Sequence, residues 1–182
     1  MLDENEAQLA LNLAKNGLKK QLEGLNIDYG APNVSPESEL LKPLGCFVTL
    51  KRNGNLRGCI GSIVSEEPLY LNIIRNAINA GLRDPRFPPV TLEEFDTLEW
   101  ELSVMGPLAP CTDLDDIEIG LHGLFIELEN HRGLLLPQVA VEWGWDRKTF
   151  LEHLCLKAGL PKDEYLKKRA KVSIFRADIY PK

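Results

Sequence analysis

The sequence predicts a soluble α+β protein of one domain, a mainly antiparallel sheet flanked by helices. Two observations carry that prediction: strand-like segments are joined through hairpin signals, and segments with helical spacing are grouped between them, an arrangement that favours an antiparallel sheet covered by helices. A third is size and composition. The chain has 182 residues, 44% hydrophobic and 26% charged, enough for one full core or a core with a small extra lobe.

Each element follows from its pattern. Between Glu4 and Leu22, Leu9, Ala10, Leu13, Ala14, Leu18 and Leu22 recur at spacings of three and four, the stripe of an amphipathic helix. Gly24 to Pro43 carries Gly24, Gly30, Pro32, Pro36 and Pro43 with little periodicity and reads as a surface connection or strap. Cys46 to Lys51 is strand-like, Asn53-Gly54 is a turn pair, and Leu56 to Ile63 returns as the second strand of a hairpin. Leu69, Ile73, Ile74, Ala77, Ile78 and Gly81 trace a helix that stops before Asp84-Pro85. Three prolines then make Asp84-Pro85-Arg86-Phe87-Pro88-Pro89 a stiff loop.

Thr97 to Met105 alternates, with Leu98, Trp100, Leu102 and Val104 on one face and Glu99, Glu101 and Ser103 on the other. Leu124 to Glu129 and Gly133 to Leu136 form a second hairpin through Asn130-His131-Arg132. Pro137 suits a helix start, leading into Gln138 to Trp143. A further helix runs from Asp146, its N-cap, to Ala158, with Phe150, Leu151, Leu154, Cys155 and Ala158 on its apolar face. Lys171 to Ile179 reads as one final strand. The acidic N-terminus lacks the apolar run of a secretory signal, and no stretch approaches the roughly 20 apolar residues of a membrane span, so a cytoplasmic location is expected.

A net charge of −6 argues against a general nucleic-acid binder. The local exception, Lys167, Lys168, Arg169 and Lys171, is interspersed with Asp163 and Glu164 and reads as a solvated helix face. Cys46, Cys59, Cys111 and Cys155 form no C-x-x-C pair and stand in no tight spacing with histidine, which argues against a zinc site or a disulfide framework. No cofactor is specified; neither a G-x-G-x-x-G nor a Walker motif occurs.

Cys59 is the most informative position. It lies between Gly58 and Gly61 on a return strand, and glycine inside a strand marks a bulge or the close approach of another group. Alternation puts Arg57 on its face, where a guanidinium favours the reactive thiolate. The competing reading is a small core cysteine whose glycines permit a bulge. On the same period, Arg57 and Cys59 are expected to face a cleft while Leu56 and Ile60 turn into the core. His122, in Gly120-Leu121-His122-Gly123, can act as a general base or ligand, or equally cap a turn. His131 sits at a hairpin tip and His153 opposite an apolar stripe; both read as solvated. Glu101 and Ser103 share a polar face, where a covered carboxylate needs a cation such as Arg57 or Arg86. Asp84 and Arg86 gain weight from their rigid loop. Trp100, Trp143 and Trp145 read mostly as core, although Trp143 and Trp145 flank Gly144 and could line a groove.

Six segments together resemble the AMMECR domain family, also called AmmeMemoRadiSam system protein A. They are Leu56-Arg57-Gly58-Cys59-Ile60-Gly61 (LRGCIG), Asp84-Pro85-Arg86-Phe87, Glu101-Leu102-Ser103-Val104, Gly120-Leu121-His122-Gly123-Leu124, residues 133–140 (GLLLPQVA) and residues 155–160 (CLKAGL), running in family order across nearly the whole chain. The resemblance implies a two-lobed α/β fold, with a larger sheet-containing lobe, a smaller lobe and a cleft between them. It implies a functional LRGCIG motif and, through the three-part name, association with Memo-like and radical S-adenosylmethionine proteins. Three readings follow. Cys59 is a nucleophile, with His122 as base and an arginine holding an anionic group. Or the chain is a non-catalytic module that grips a nucleotide, nucleic acid or protein through Arg57, Gly58, Gly61, Asp84, Arg86, Glu101 and Ser103. Or LRGCIG serves folding alone.

Overall fold

The computed structural model describes residues 2–167 and 169–181, so Lys168 lies outside the described residues. These fall into two compact units, one of residues 2–105 with 178–181 and the other Gly106–Ala177. Each has its own apolar core. Two antiparallel four-stranded sheets with flanking helices make this an α+β fold.

In the first unit, helix α1 (Glu4–Leu22) begins at a capping box: Asp3 accepts from the Glu6 N–H at 2.8 Å while Glu6 accepts from the Asp3 N–H at 3.2 Å. Its deepest line is Ala7, Ala10, Leu11, Ala14 and Leu18, with Leu9, Leu13 and Leu22 only partly buried. The predicted stripe is therefore rotated toward its small residues. Small residues are needed because α1 lies close to α2 (Leu69–Leu82), where a Cβ on Gly17 would come 2.9 Å from the Ile74 side chain. The strap enters the core through Leu40, whose N–H donates to Ser38 Oγ, and the Ser38 hydroxyl donates to the Glu6 carboxylate.

Strands β1 (Cys46–Arg52) and β2 (Asn55–Ser62) form the predicted hairpin. Asn53 and Gly54 have φ of 51° and 73°, the left-handed pair that a two-residue turn of matching twist requires. The short helix α3 (Leu92–Phe95) precedes β3 (Glu99–Met105), which pairs with β1. Strand β8 (Ala177–Tyr180) completes the order β2-β1-β3-β8. Val48, Leu50 and Leu102 point to the core face.

One register shift matters. Leu50 pairs with Gly58 but Lys51 pairs with Leu56, leaving Arg57 as a bulge. The bulge breaks the two-residue period, so Leu56 does not turn inward as expected but is 43% exposed, whereas Ile60 packs on the core.

In the second unit, β4 (Ala109–Pro110), β7 (Lys171–Phe175), β5 (Gly123–Leu128) and β6 (His131–Leu135) lie in the order β4-β7-β5-β6. Helix α4 (Pro137–Glu142) starts on Pro137, and α5 (Arg147–Lys157) is capped by Asp146, which accepts from the Thr149 N–H at 2.7 Å. Phe150, Leu151, Leu154 and Cys155 bury the inner side of α5 against Leu124 and Ile126. Two expectations change here. The predicted strand from Lys171 to Ile179 is two strands in different sheets, broken at Arg176, whose carbonyl accepts from the Gly106 N–H at 2.7 Å. The expected solvated helix face near Lys167 is a short turn, Glu164–Lys167, whose Glu164 is fully buried beneath Lys167 and Arg169.

Candidate functional site around Cys59

Strand β2 is an edge of its sheet, so alternate N–H and C=O groups need partners from outside it. At Cys59 the partners are side chains. The Cys59 N–H donates to Asp84 Oδ2 at 2.9 Å, and Arg86 Nη2 donates to the Cys59 carbonyl at 3.2 Å. Asp84 and Arg86 also bind each other, through Nε to Oδ1 at 2.9 Å and Nη2 to Oδ2 at 2.7 Å. A carboxylate and a guanidinium thus replace the C=O and N–H of a missing neighbouring strand. Pro85 stiffens the link between them. Asp84 is almost wholly buried, with 2% of its side chain exposed, while 54% of the Arg86 side chain remains exposed. The Arg86 hydrogen bonds, aided by the Cys59 and Arg86 backbone N–H groups, outweigh burial and hold the Asp84 carboxyl well below the usual carboxylate range.

The other motif residues are as tightly committed. A Cβ on Gly58 would lie 2.1 Å from the Ala80 carbonyl, so α2 packs backbone to backbone on β2. A Cβ on Gly61 would lie 2.3 Å from the Cys46 carbonyl and 2.4 Å from Phe47 Cγ, so the Phe47 ring occupies that space. Arg57 is 12% exposed and binds Glu94 with two bonds, of 3.0 and 2.9 Å, and the Pro88 carbonyl with a third of 2.9 Å. The Arg57 guanidinium in turn depresses the Glu94 carboxyl, against the opposing effect of burial.

The thiol itself is half-buried and accepts from the Thr49 hydroxyl at 3.3 Å. Thr49 pairs across the sheet with Cys59 on one side and Glu101 on the other, so the three form one row. Glu101 is bound by Lys51 at 2.7 Å, not by either arginine. Ser103 pairs with Phe47 and is buried. Cys59, Arg57, Gly58, Gly61, Asp84, Arg86, Glu101 and Ser103 all belong to the first unit; His122 belongs to the second. There His122 Nδ1 accepts from the Glu118 N–H at 3.1 Å, and the His122 N–H donates to the Glu118 carbonyl at 3.0 Å, which closes a turn before β5. Its ring borders a small cavity of about 240 Å³ with Pro107, Ala109, Ile174, Phe175 and Arg176.

Thr49, Lys51 and Glu94 were not singled out from the sequence. A plain count back from Asn53-Gly54 pairs Thr49 with Gly58, and only the bulge brings it opposite Cys59. Burial pushes the Cys46 thiol up to about 12 and also raises Cys155; Cys111 is raised by burial and by Asp116 and Asp113. Among the described residues no group of three or more His, Cys, Asp or Glu side chains is placed to hold a metal ion.

With this geometry in view, the comparisons define the class. The AMMECR1 family model matches residues 11–180, and the chain belongs to that family. It is 40% identical to a protein of Methanothermobacter thermautotrophicus over 98% of this chain and 95% of that one. It is 42% identical to a protein of Methanocaldococcus jannaschii, over 99% of this chain and 92% of that one. A crystal structure of an uncharacterized protein from Pyrococcus horikoshii superposes with a TM-score of 0.87 at 38% identity, covering 98% of this chain and 92% of that one.

Proposed function

We propose that this chain is a binding module whose LRGCIG edge and Asp84-Pro85-Arg86-Phe87 loop form one rigid recognition surface. The observation that carries this reading is the clamp on the Cys59 backbone by Asp84 and Arg86. It fixes a half-buried thiol and an outward guanidinium edge in place, which is what recognition demands. The charged groups around it favour recognition over attack. Arg57 is neutralised by Glu94 and Asp84 by Arg86. The Memo-like and radical S-adenosylmethionine proteins implied by the family resemblance are the partners this reading nominates. A cytoplasmic setting belongs to it as well, since four unpaired cysteines, two of them buried, suit a reducing compartment. No helix among the described residues is long and apolar enough to cross a membrane.

A second reading, cysteine-based chemistry, is favoured by one observation: the Thr49 hydroxyl points at the Cys59 sulfur, and such a donor stabilises a thiolate. Cys59→Ser separates the two. Replacement should lower stability by roughly 1 kcal/mol. If the chain binds, the variant complements a deletion strain fully; if Cys59 is a nucleophile, complementation is lost although thermal unfolding shows no more than that modest loss.

A further inference from the structure

A second surface, in the second unit, is built from aromatic rings. Helix α4 ends at Glu142, and the next residues, Trp143-Gly144-Trp145, reverse the chain. Gly144 has φ +63°, the left-handed conformation that closes helices, and the Trp145 N–H returns to the Ala140 carbonyl at 2.8 Å. This turn lays the two indoles nearly parallel, 21° apart with centroids at 6.1 Å. Behind Trp145, the His153 ring of α5 stacks at 3.9 Å and 10°. His153 is stacked on Trp145 rather than solvated as expected, and Trp143, read as mostly core with a groove as the alternative, is 70% exposed.

Trp145 packs on the second core and anchors the stack, leaving Trp143 as its outer rung. A planar group cannot enter between the indoles, because a sandwich needs about 7 Å, two contact distances of roughly 3.5 Å. A ligand must therefore lie on the outer face of Trp143. Val141 and Leu156, at the ends of α4 and α5, add exposed apolar surface.

Charge narrows the choice of ligand. Glu142 and Asp146 stand immediately before and after Trp143-Gly144-Trp145 in the chain and are exposed. Asp146 stays ionised, because the Thr149 hydroxyl, aided by the Thr149 N–H, holds its carboxyl below the ordinary range. The nearby Arg147 is turned onto Asp115 and the Ile117 carbonyl, and Lys148 lies 4.0 Å from Glu152. Indole faces attract cations, and a flat, weakly hydrated guanidinium stacks on them better than an ammonium does. The carboxylates repel phosphate, which disfavours nucleotides, and they add nothing for a proline-rich segment.

We infer that the Trp143–Trp145–His153 stack, with Glu142 and Asp146, is a docking site for an arginine-bearing segment of a partner protein. The test uses the full chain and the peptide acetyl-Gly-Arg-Gly-Arg-Gly-amide, followed through the indole N–H resonances of Trp143 and Trp145, assigned with Trp143→Ala and Trp145→Ala. Saturable shifts of these two resonances are expected, with the lysine peptide about fivefold weaker. The citrulline peptide, flat but neutral, adenosine monophosphate and a proline-rich peptide should give no saturable shift. Trp143→Ala should weaken arginine-peptide binding about tenfold. Glu142→Lys, on an exposed side chain and with the ring intact, should weaken it about threefold while thermal unfolding is unchanged. No shift with the arginine peptide, equal shifts with citrulline, nucleotide or proline-rich probes, or indifference to both Trp143→Ala and Glu142→Lys would overturn the assignment.

Discussion

At Asp84 one carboxylate accepts from the Cys59 and Arg86 N–H groups and from the Arg86 guanidinium. Its folded-state pKa is depressed below the ordinary 3.8, so the stability it contributes is fully present above that value. It is lost as pH falls below 3.8 toward the folded pKa. Because Arg86 is half in water, the contribution is smaller than that of a sealed pair, and Asp84→Asn should cost about 2 kcal/mol near neutral pH. In acid titrations monitored by chemical unfolding, the difference between the two proteins should shrink as pH drops through this window. A gap that stays constant down to acid would show that charge is not the cause. The thiols separate at the same scale. Cys46 and Cys155 are fully buried and raised, and Cys111 is raised, so Cys59 should react with iodoacetamide before any of them in the native state. Mass spectrometry of brief labelling decides this, and earlier modification of Cys111 would refute it.

Between elements, the glycines of LRGCIG set how closely helix and strand approach. Gly58→Ala would push a methyl to 2.1 Å from the Ala80 carbonyl, and because that neighbour is backbone, the whole of α2 must move. A loss of about 3 kcal/mol is expected. Gly144→Ala meets no atom within 4 Å and strains only its left-handed φ, so about 1 kcal/mol is expected. Denaturant unfolding of the two variants should give that order; the reverse would remove the close-packing account. These elements also show how much was legible in the sequence. Asn53-Gly54, the stop at Asp84-Pro85 and the Asp146 cap are local signals, and local chemistry decided them. The bulge at Arg57, the split at Arg176 and the partners of Arg57 and Glu101 depend on contacts between distant segments. The Thr49–Cys59 row was therefore invisible in a simple count from the turn, and the single strand expected to Ile179 proved to be two.

For the molecule as a whole, the first unit is discontinuous. Its sheet needs β8 from beyond residue 176, and Tyr180 ties the two ends of that unit together: the Leu2 N–H donates to its hydroxyl at 2.9 Å, and the hydroxyl donates to the Leu2 carbonyl at 3.1 Å. Tyr180→Phe should cost about 1 to 2 kcal/mol through these two buried bonds. Deleting residues 177–182 should strip hydrogen-exchange protection from β3 while leaving β5 protected; equal loss in both strands would contradict this division. The second unit, by contrast, is one unbroken stretch, Gly106–Ala177. On the ribosome the order of completion is therefore the reverse of the order of synthesis. The segment made first must wait, its sheet one strand short, until the segment made after it has been completed. A free polypeptide ending at residue 177 would hold every strand of the second unit but lack most of β8, leaving the edge of β3 in the first unit open to misplaced strands.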